Sequence, residues 1–198
     1  MSAFSRQRTV PVIAGLVLAG GRGTRMGGVD KPLLMLADRS LIEIIIERLS
    51  PQVGALAISA NGDPERYTGF GLKVLADDIT GRGPLGGILR GLAWAGAEGA
   101  DSLLSIPGDT PFIPTDLVQR LSPAPSWAEN STALHPLVAL WPVGCAPALG
   151  AWLAAQPSGR VRAFGATLGM RSVWFNDTPD PFHNINTQAD LDHARARV

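Results

Sequence analysis

The sequence predicts an α/β fold with a mainly parallel central sheet and helices on both faces. Three observations carry this expectation. Short apolar segments alternate with helical patterns from Val10 to Leu121, the pattern of linked βαβ units. The first segment, Val10 to Ala19, is almost continuously apolar, as a strand covered on both faces requires. That strand runs straight into a glycine-rich loop, Gly20 to Asp30, placed where open α/β sheets bind ligands.

The elements follow in order. Residues 1–9 are polar and read as a loose tail. Ser40-Leu-Ile-Glu43 has the spacing of a capping box and opens a helix through about Leu49. Ala55–Ala60 and Leu72–Ala76 read as short buried strands ending in polar residues, Asn61 and the pair Asp77, Asp78. Gly86 to Glu98 fits a helix rich in small residues. Ser102–Ile106 fits a strand ending at Pro107-Gly-Asp-Thr-Pro111, and Thr115–Leu121 a short helix. Ser122 to Asn130 reads as a connecting loop because proline, serine and alanine dominate it. Beyond it, His135–Trp141 predicts a strand, Ala146–Ala155 and Val161–Leu168 helices, and Ser172–Phe175 a last strand. Gln188 to Arg197 predicts a closing helix capped by Thr187, with Asp190 at its third position.

Composition narrows the function. A chain of 198 residues suits one domain with a substantial core. Seventeen basic side chains balance seventeen acidic ones, so nothing draws the chain to nucleic acid or an anionic membrane. Cys145, the single cysteine, excludes an internal disulfide framework and a cysteine-rich metal cage. Val10 to Ala19 is too short to cross a bilayer and runs into a polar loop rather than a cleavage site. A cytoplasmic enzyme is the expectation. Fifteen of the seventeen basic residues are arginine, so Lys31, inside the glycine-rich segment, invites a chemical role.

Leu18-Ala-Gly-Gly-Arg-Gly-Thr-Arg-Met-Gly-Gly-Val-Asp-Lys-Pro-Leu33 is built for phosphate. Its glycines let backbone amides approach anionic oxygens, while Arg25 and Lys31 add positive charge. Two familiar phosphate loops are excluded. The Walker pattern needs Gly-Lys before Ser or Thr, but Lys31 lies between Asp30 and Pro32. The dinucleotide fingerprint needs a third glycine where this loop has Met26.

Leu-Ala-Gly-Gly-x-Gly-x-Arg-Met with a following Lys-Pro closely resembles the signature of molybdenum cofactor guanylyltransferases, the MobA family of nucleotidyltransferases. The resemblance runs from about residue 12 to 193, with the motifs in the family's order. It implies a single-domain Rossmann-like nucleotidyltransferase fold over residues 10–198, with a nucleotide-binding part to about 121 and an acceptor-side part from about 122. It implies transfer of GMP from GTP to the terminal phosphate of molybdenum-molybdopterin, giving the guanine dinucleotide cofactor and pyrophosphate. Matched residue by residue, Leu18, Ala19, Gly20, Gly21, Lys31, Asp77 and Asp109 would bind GTP, with Arg25, Lys31 and Asp109 catalytic. Asp109 would hold Mg²⁺, for which Mn²⁺ can substitute, and Asn186 is a further candidate ligand. The family commonly has asparagine where this chain has Ser59, so the guanosine contact passes to Ser59, to Asn61 or to the backbone. Phe182-His-Asn-Ile-Asn-Thr187 resembles the family's closing motif and puts Asn184 and Asn186 on one side of an extended segment, toward the acceptor. His135, before its strand, is a weaker acceptor-side match. Transient contact with cofactor-inserting proteins or apo-molybdoenzymes is also implied.

Other classes fit less well. Cytidylyl relatives begin the loop Leu-Ala-Ala-Gly, whereas this chain has Leu18-Ala-Gly-Gly21, and sugar nucleotidyltransferases are usually longer. A noncatalytic GTP-binding adaptor would be expected to lack the lysine or the metal aspartate, and both Lys31 and Asp109 are present.

Overall fold

A computed structural model describes residues 10–20, 30–77, 82–155 and 160–197. The tail, Gly21, Arg25, Asp78 and Gly81 lie outside the described residues. Strand β1 (Ile13–Leu18) leads through a turn of 3₁₀-helix (Lys31–Leu33) and a hairpin of β2 (Met35–Leu36) and β3 (Arg39–Ser40) into helix α1 (Leu41–Leu49). Then come β4 (Ala55–Ser59), a 3₁₀ segment (Pro64–Phe70), β5 (Lys73–Leu75), α2 (Pro84–Ala97), β6 (Ser102–Pro107) and α3 (Leu117–Leu121). The remainder is β7 (Ser126–Glu129), β8 (Leu134–Pro142), α4 (Ala146–Ala155), α5 (Val161–Thr167), β9 (Arg171–Trp174) and α6 (Gln188–Arg195).

Seven strands form one sheet in the order β5-β4-β1-β6-β8-β7-β9. Parallel pairing joins β5, β4, β1 and β6, and also β7 with β9; β8 runs antiparallel to both of its neighbours. The mainly parallel expectation holds. The chain leaves β1 toward β4 on one side and returns to β6 on the other, so a topological switch point opens beside β1. Side chains of β1 alternate between two cores: Ala14 and Leu16 meet α2, while Val17 meets α1.

On one face, Leu85, Ile88 and Leu92 of α2 pack with Trp141, Leu149 and Phe164. On the other, Ile42, Ile45 and Leu49 of α1 pack with Ile58, Ile106 and Leu121. A third core, including Leu36, Phe112, Ile185 and Leu191, ties α6 to the β2–β3 hairpin. Helix α2 sits close to the sheet because Gly91 carries no Cβ, which would otherwise lie 2.5 Å from Leu16 Cδ2. The capping boxes at Ser40/Glu43 and Thr187/Asp190 both form.

One expectation needs correction. Residues 122–130 are not all loop: Ser126–Glu129 forms β7, inserted between β8 and β9. Four residues after Pro123 and Pro125 carry too little periodicity to signal a strand, and hydrogen bonding from both sides overrides the weak local preference. Residues 64–70, between β4 and β5, form a 3₁₀ segment capped by Asp63, whose Oδ1 accepts from Glu65 N at 2.9 Å.

Candidate active site

A cleft of about 920 Å³ runs over the carboxyl ends of β5, β4, β1 and β6. Its floor is rigid because hydrogen bonding between strands continues beyond them. Ala19 N donates to Ser59 O at 2.8 Å, Ala60 N to Leu75 O at 3.0 Å, and Gly108 N to Leu18 O at 2.9 Å. Leu18, Ala19, Gly20, Lys31, Ser59, Asn61, Asp77, Asp109 and Asn184 all line it.

At the β6 end, Lys31 and Asp109 face each other. Pro32 occupies the first turn of the 3₁₀ segment that presents the lysine, and Gly108 lets it come close: a Cβ there would sit 2.7 Å from Pro32 Cγ. Lys31 Nζ lies 3.8 Å from Asp109 Oδ2, with the two side chains 20% and 19% exposed. Burial raises the Asp109 pKa, against the pull of the Lys31 ammonium. The carboxylate is also held laterally, its Oδ1 accepting from Asn184 Nδ2 at 3.2 Å and from Thr110 Oγ1 at 3.4 Å.

The segment before α6 is docked onto this loop, Ile185 N donating to Asp109 O at 2.9 Å. Asn184 and Asn186 therefore do reach the same place, by different contacts. Asn186 Oδ1 accepts from Lys31 Nζ at 2.5 Å, which makes it a partner of the lysine. Asp190 Oδ2 fixes this segment by accepting from the backbone amides of Asn186 and Thr187 at 2.9 and 2.8 Å, and those amides hold its carboxyl below the usual range. His135 is not among the described lining residues; its ring packs 4.9 Å from Phe182 and its Nε2 is buried with no partner among the described residues. Leu137 of the same strand reaches the cleft instead.

At the β4–β5 end, Asn61 is clipped onto Asp77. Asn61 Nδ2 donates to Asp77 Oδ2 at 2.8 Å, and Asp77 N donates to Asn61 Oδ1 at 3.0 Å. The other Asp77 oxygen, Oδ1, is buried and has no partner among the described residues, which leaves it an open acceptor in the cleft wall. Ser59 is 4% exposed, and a Cβ on Gly87 would lie 2.4 Å from its hydroxyl and 3.4 Å from Asp77 Oδ1. Glycine at 87 is the condition for α2 to start against these groups.

Sequence reasoning missed a third group on the rim. Arg66 pairs with Asp30 through Nη1 and Oδ2, while its Nη2 and Nε donate to Asn61 O and Asp63 O, each at 3.1 Å. Tyr67, fully buried, points its hydroxyl at Asp30 Oδ2 from 3.4 Å, and burial pushes its pKa up to about 12. The one sequence signal was the turn Asn61-Gly62-Asp63-Pro64, which announces a helical start.

Among the described residues no cluster of three or more His, Cys, Asp or Glu could hold a metal ion by itself, and no helix is long and apolar enough to cross a membrane. The cleft therefore joins an acidic–basic pair at the switch point to a polar floor and a docked asparagine segment.

Comparison with known proteins gives the family. The chain is 53% identical over 182 residues to the molybdenum cofactor guanylyltransferase of Acidiphilium cryptum (strain JF-5), covering 91% of this chain and 93% of that one. It is 50% identical over 186 residues to the molybdenum cofactor guanylyltransferase of Cereibacter sphaeroides, covering 92% and 95%. Its fold matches the crystal structure of molybdopterin-guanine dinucleotide biosynthesis protein A from Archaeoglobus fulgidus with a TM-score of 0.70 at 21% identity, over 93% of this chain and 97% of that chain. The model of the MobA-like NTP transferase domain matches residues 15–169, and the chain belongs to that family.

Proposed function

We propose that this protein transfers GMP from GTP to the terminal phosphate of molybdenum-molybdopterin, forming the guanine dinucleotide cofactor and pyrophosphate. The observation that carries the reading is the Lys31–Asp109 pair at the switch point, one wall of a cleft whose other end offers the unpartnered Asp77 oxygen. The acceptor phosphate attacks the α-phosphorus, the α–β bridge breaks, and pyrophosphate leaves. A phosphate nucleophile is already anionic, so no general base is required. Positioning and charge neutralisation then carry catalysis.

The donor set fits Mg²⁺ or Mn²⁺. One half-buried carboxylate, steadied by Asn184 and Thr110, is what a hard cation needs when substrate phosphates and water complete its shell. When bound, the cation neutralises phosphate charge. Lys31 would contact the triphosphate and follow it as charge moves to the leaving pyrophosphate, with Asn186 holding the ammonium in register. Asn184 keeps the Asp109 carboxylate turned to the cleft. Arg25 in the glycine loop is a further candidate phosphate contact. Delivery of the product to apo-molybdoenzymes in the cytoplasm, through transient contact with inserting proteins, completes the reading.

The test is incubation with each labelled nucleoside triphosphate, Mg²⁺ and molybdenum-loaded pterin, following pyrophosphate and dinucleotide. Dinucleotide from GTP alone supports the reading. Preferential consumption of CTP would move the chain to cytidylyl chemistry, and cation-independent turnover would remove Asp109 as a metal ligand.

A further inference from the structure

We propose that Arg66 reads the O6/N7 edge of the guanine base and so selects GTP over ATP and CTP; this rests on the transfer function above. Among the described residues lining the cleft, Lys31 and Arg66 are the cations. Lys31 is committed to Asp109 and Asn186 at the β6 end. The other end offers few free donors. The Asn61 amide spends its oxygen and one of its two N–H groups on Asp77, the Asp77 carboxylate only accepts, and Ser59 is buried against Gly87.

Arg66 supplies what is missing. A guanidinium has five N–H groups, and three of them are spent on Asp63 O, Asp30 and Asn61 O. The remaining two, one on each Nη, have no partner among the described residues and belong to a side chain that lines the cleft. Anchoring by Asp30 and two carbonyls fixes the fork before ligand arrives, so little ordering entropy is lost on binding. Guanine presents two acceptors side by side on that edge, while adenine and cytosine present an exocyclic amine that meets an N–H donor unfavourably. The nearby Asp30 carboxylate offsets the charge, leaving directed hydrogen bonds rather than a general attraction for anions.

The competing reading makes Arg66 a strut that only holds Asp30, and with it the neighbouring Lys31. Base analogues separate the two. Kinetics with GTP and with 2-aminopurine riboside triphosphate, which lacks O6, should be compared in the wild type, Arg66→Met and Asp30→Asn. Loss of a hydrogen bond from a charged donor predicts about a 10- to 100-fold fall in kcat/KM for GTP in Arg66→Met. The analogue keeps N7 but lacks O6, so its fall in Arg66→Met should be clearly smaller than that of GTP. Asp30→Asn keeps the guanidinium and should keep the wild-type ratio of GTP to analogue. Equal losses on both nucleotides in Arg66→Met, or a ratio in Asp30→Asn that collapses like that of Arg66→Met, would overturn the proposal. Should Arg66→Met fail to fold, Arg66→Lys keeps the charge without the fork and gives the same comparison. Calorimetric binding of the two nucleotides without acceptor tests Arg66 by itself, so a wild type that binds GTP yet forms no dinucleotide overturns the transfer reading while the binding ratios still decide on Arg66.

Discussion

Replacing Lys31 is the sharpest test of the chemistry. Its Nζ lies 2.5 Å from Asn186 Oδ1 and 3.8 Å from Asp109 Oδ2, in a pocket that leaves the side chain 20% exposed. A charge at such a site is poorly screened, so removing one charge-assisted phosphate contact costs roughly 2–4 kcal/mol at the transition state. That corresponds to about a 30- to 10³-fold loss in rate for Lys31→Ala. Lys31→Arg keeps the charge but not the compact ammonium that Asn186 grips, and should retain nucleotide binding while losing rate. A second readout follows from Asp109. The Lys31 ammonium pulls the Asp109 pKa down against burial, so its removal must let that pKa rise further. The acid limb of kcat/KM should move to higher pH in Lys31→Ala and stay in place in Lys31→Arg. Steady-state kinetics against GTP, with pyrophosphate release followed from acid to alkaline pH, measure both. If Lys31→Ala turns over within about threefold of the wild type, or its acid limb does not move, the lysine is a solvated loop residue and the reasoning fails.

Asp109→Ala should abolish turnover and leave the fold intact; activity within about threefold of the wild type at saturating Mg²⁺ would exclude metal binding there. Asp109→Asn separates function from stability. Burial raises the native pKa of Asp109 above its unfolded value, so its stabilising contribution is full below the unfolded pKa and is lost as pH rises through the native one. The inactive Asn variant should therefore melt higher than the wild type near neutral pH, with the gap closing in acid; a constant gap would contradict the sign. Gly87→Ala places a methyl 2.4 Å from the Ser59 hydroxyl, and overpacking of this kind costs about 1–3 kcal/mol. It should lower Tm and raise the KM for GTP, and adding Ser59→Gly should restore much of both; no rescue would mean the strain lies elsewhere.

How far the sequence revealed this site depended on how local each signal was. The β1 strand, both capping boxes and the loop lysine are written in contiguous residues, where period, cap chemistry and glycine content act directly on the backbone. Asp77 and Asp109 were legible because polar residues at strand ends collect at one edge of a parallel sheet. Strand β7 was not, because its pairing comes from β8 and β9 rather than from its own four residues. Arg66 was not either: it reaches the cleft from a 3₁₀ segment, and its ion pair with Asp30 spans 36 positions. Nothing local distinguishes such an arginine from the other fourteen.

Asn186 shows the same boundary from the other side. The extended segment puts Asn184 and Asn186 on one side, but spacing alone cannot say which polar group each meets. The contact of Asn186 with Lys31 joins residues 155 positions apart, and it exists because Ile185 docks on the Asp109 carbonyl while Asp190 caps the next helix. The last helix thereby becomes part of the candidate site: its capping carboxylate holds the asparagine, the asparagine holds the lysine, and the lysine faces the aspartate. A substitution that breaks the cap, such as Asp190→Ala, removes the acceptor for two backbone amides and costs about 1 kcal/mol of stability. If this chain of contacts matters to transfer, Asp190→Ala should lower kcat severalfold with GTP binding retained, although Asp190 is not among the residues lining the cleft. A loss of thermal stability with unchanged kcat would confine the motif to folding and leave Asn186 without a role in positioning the lysine.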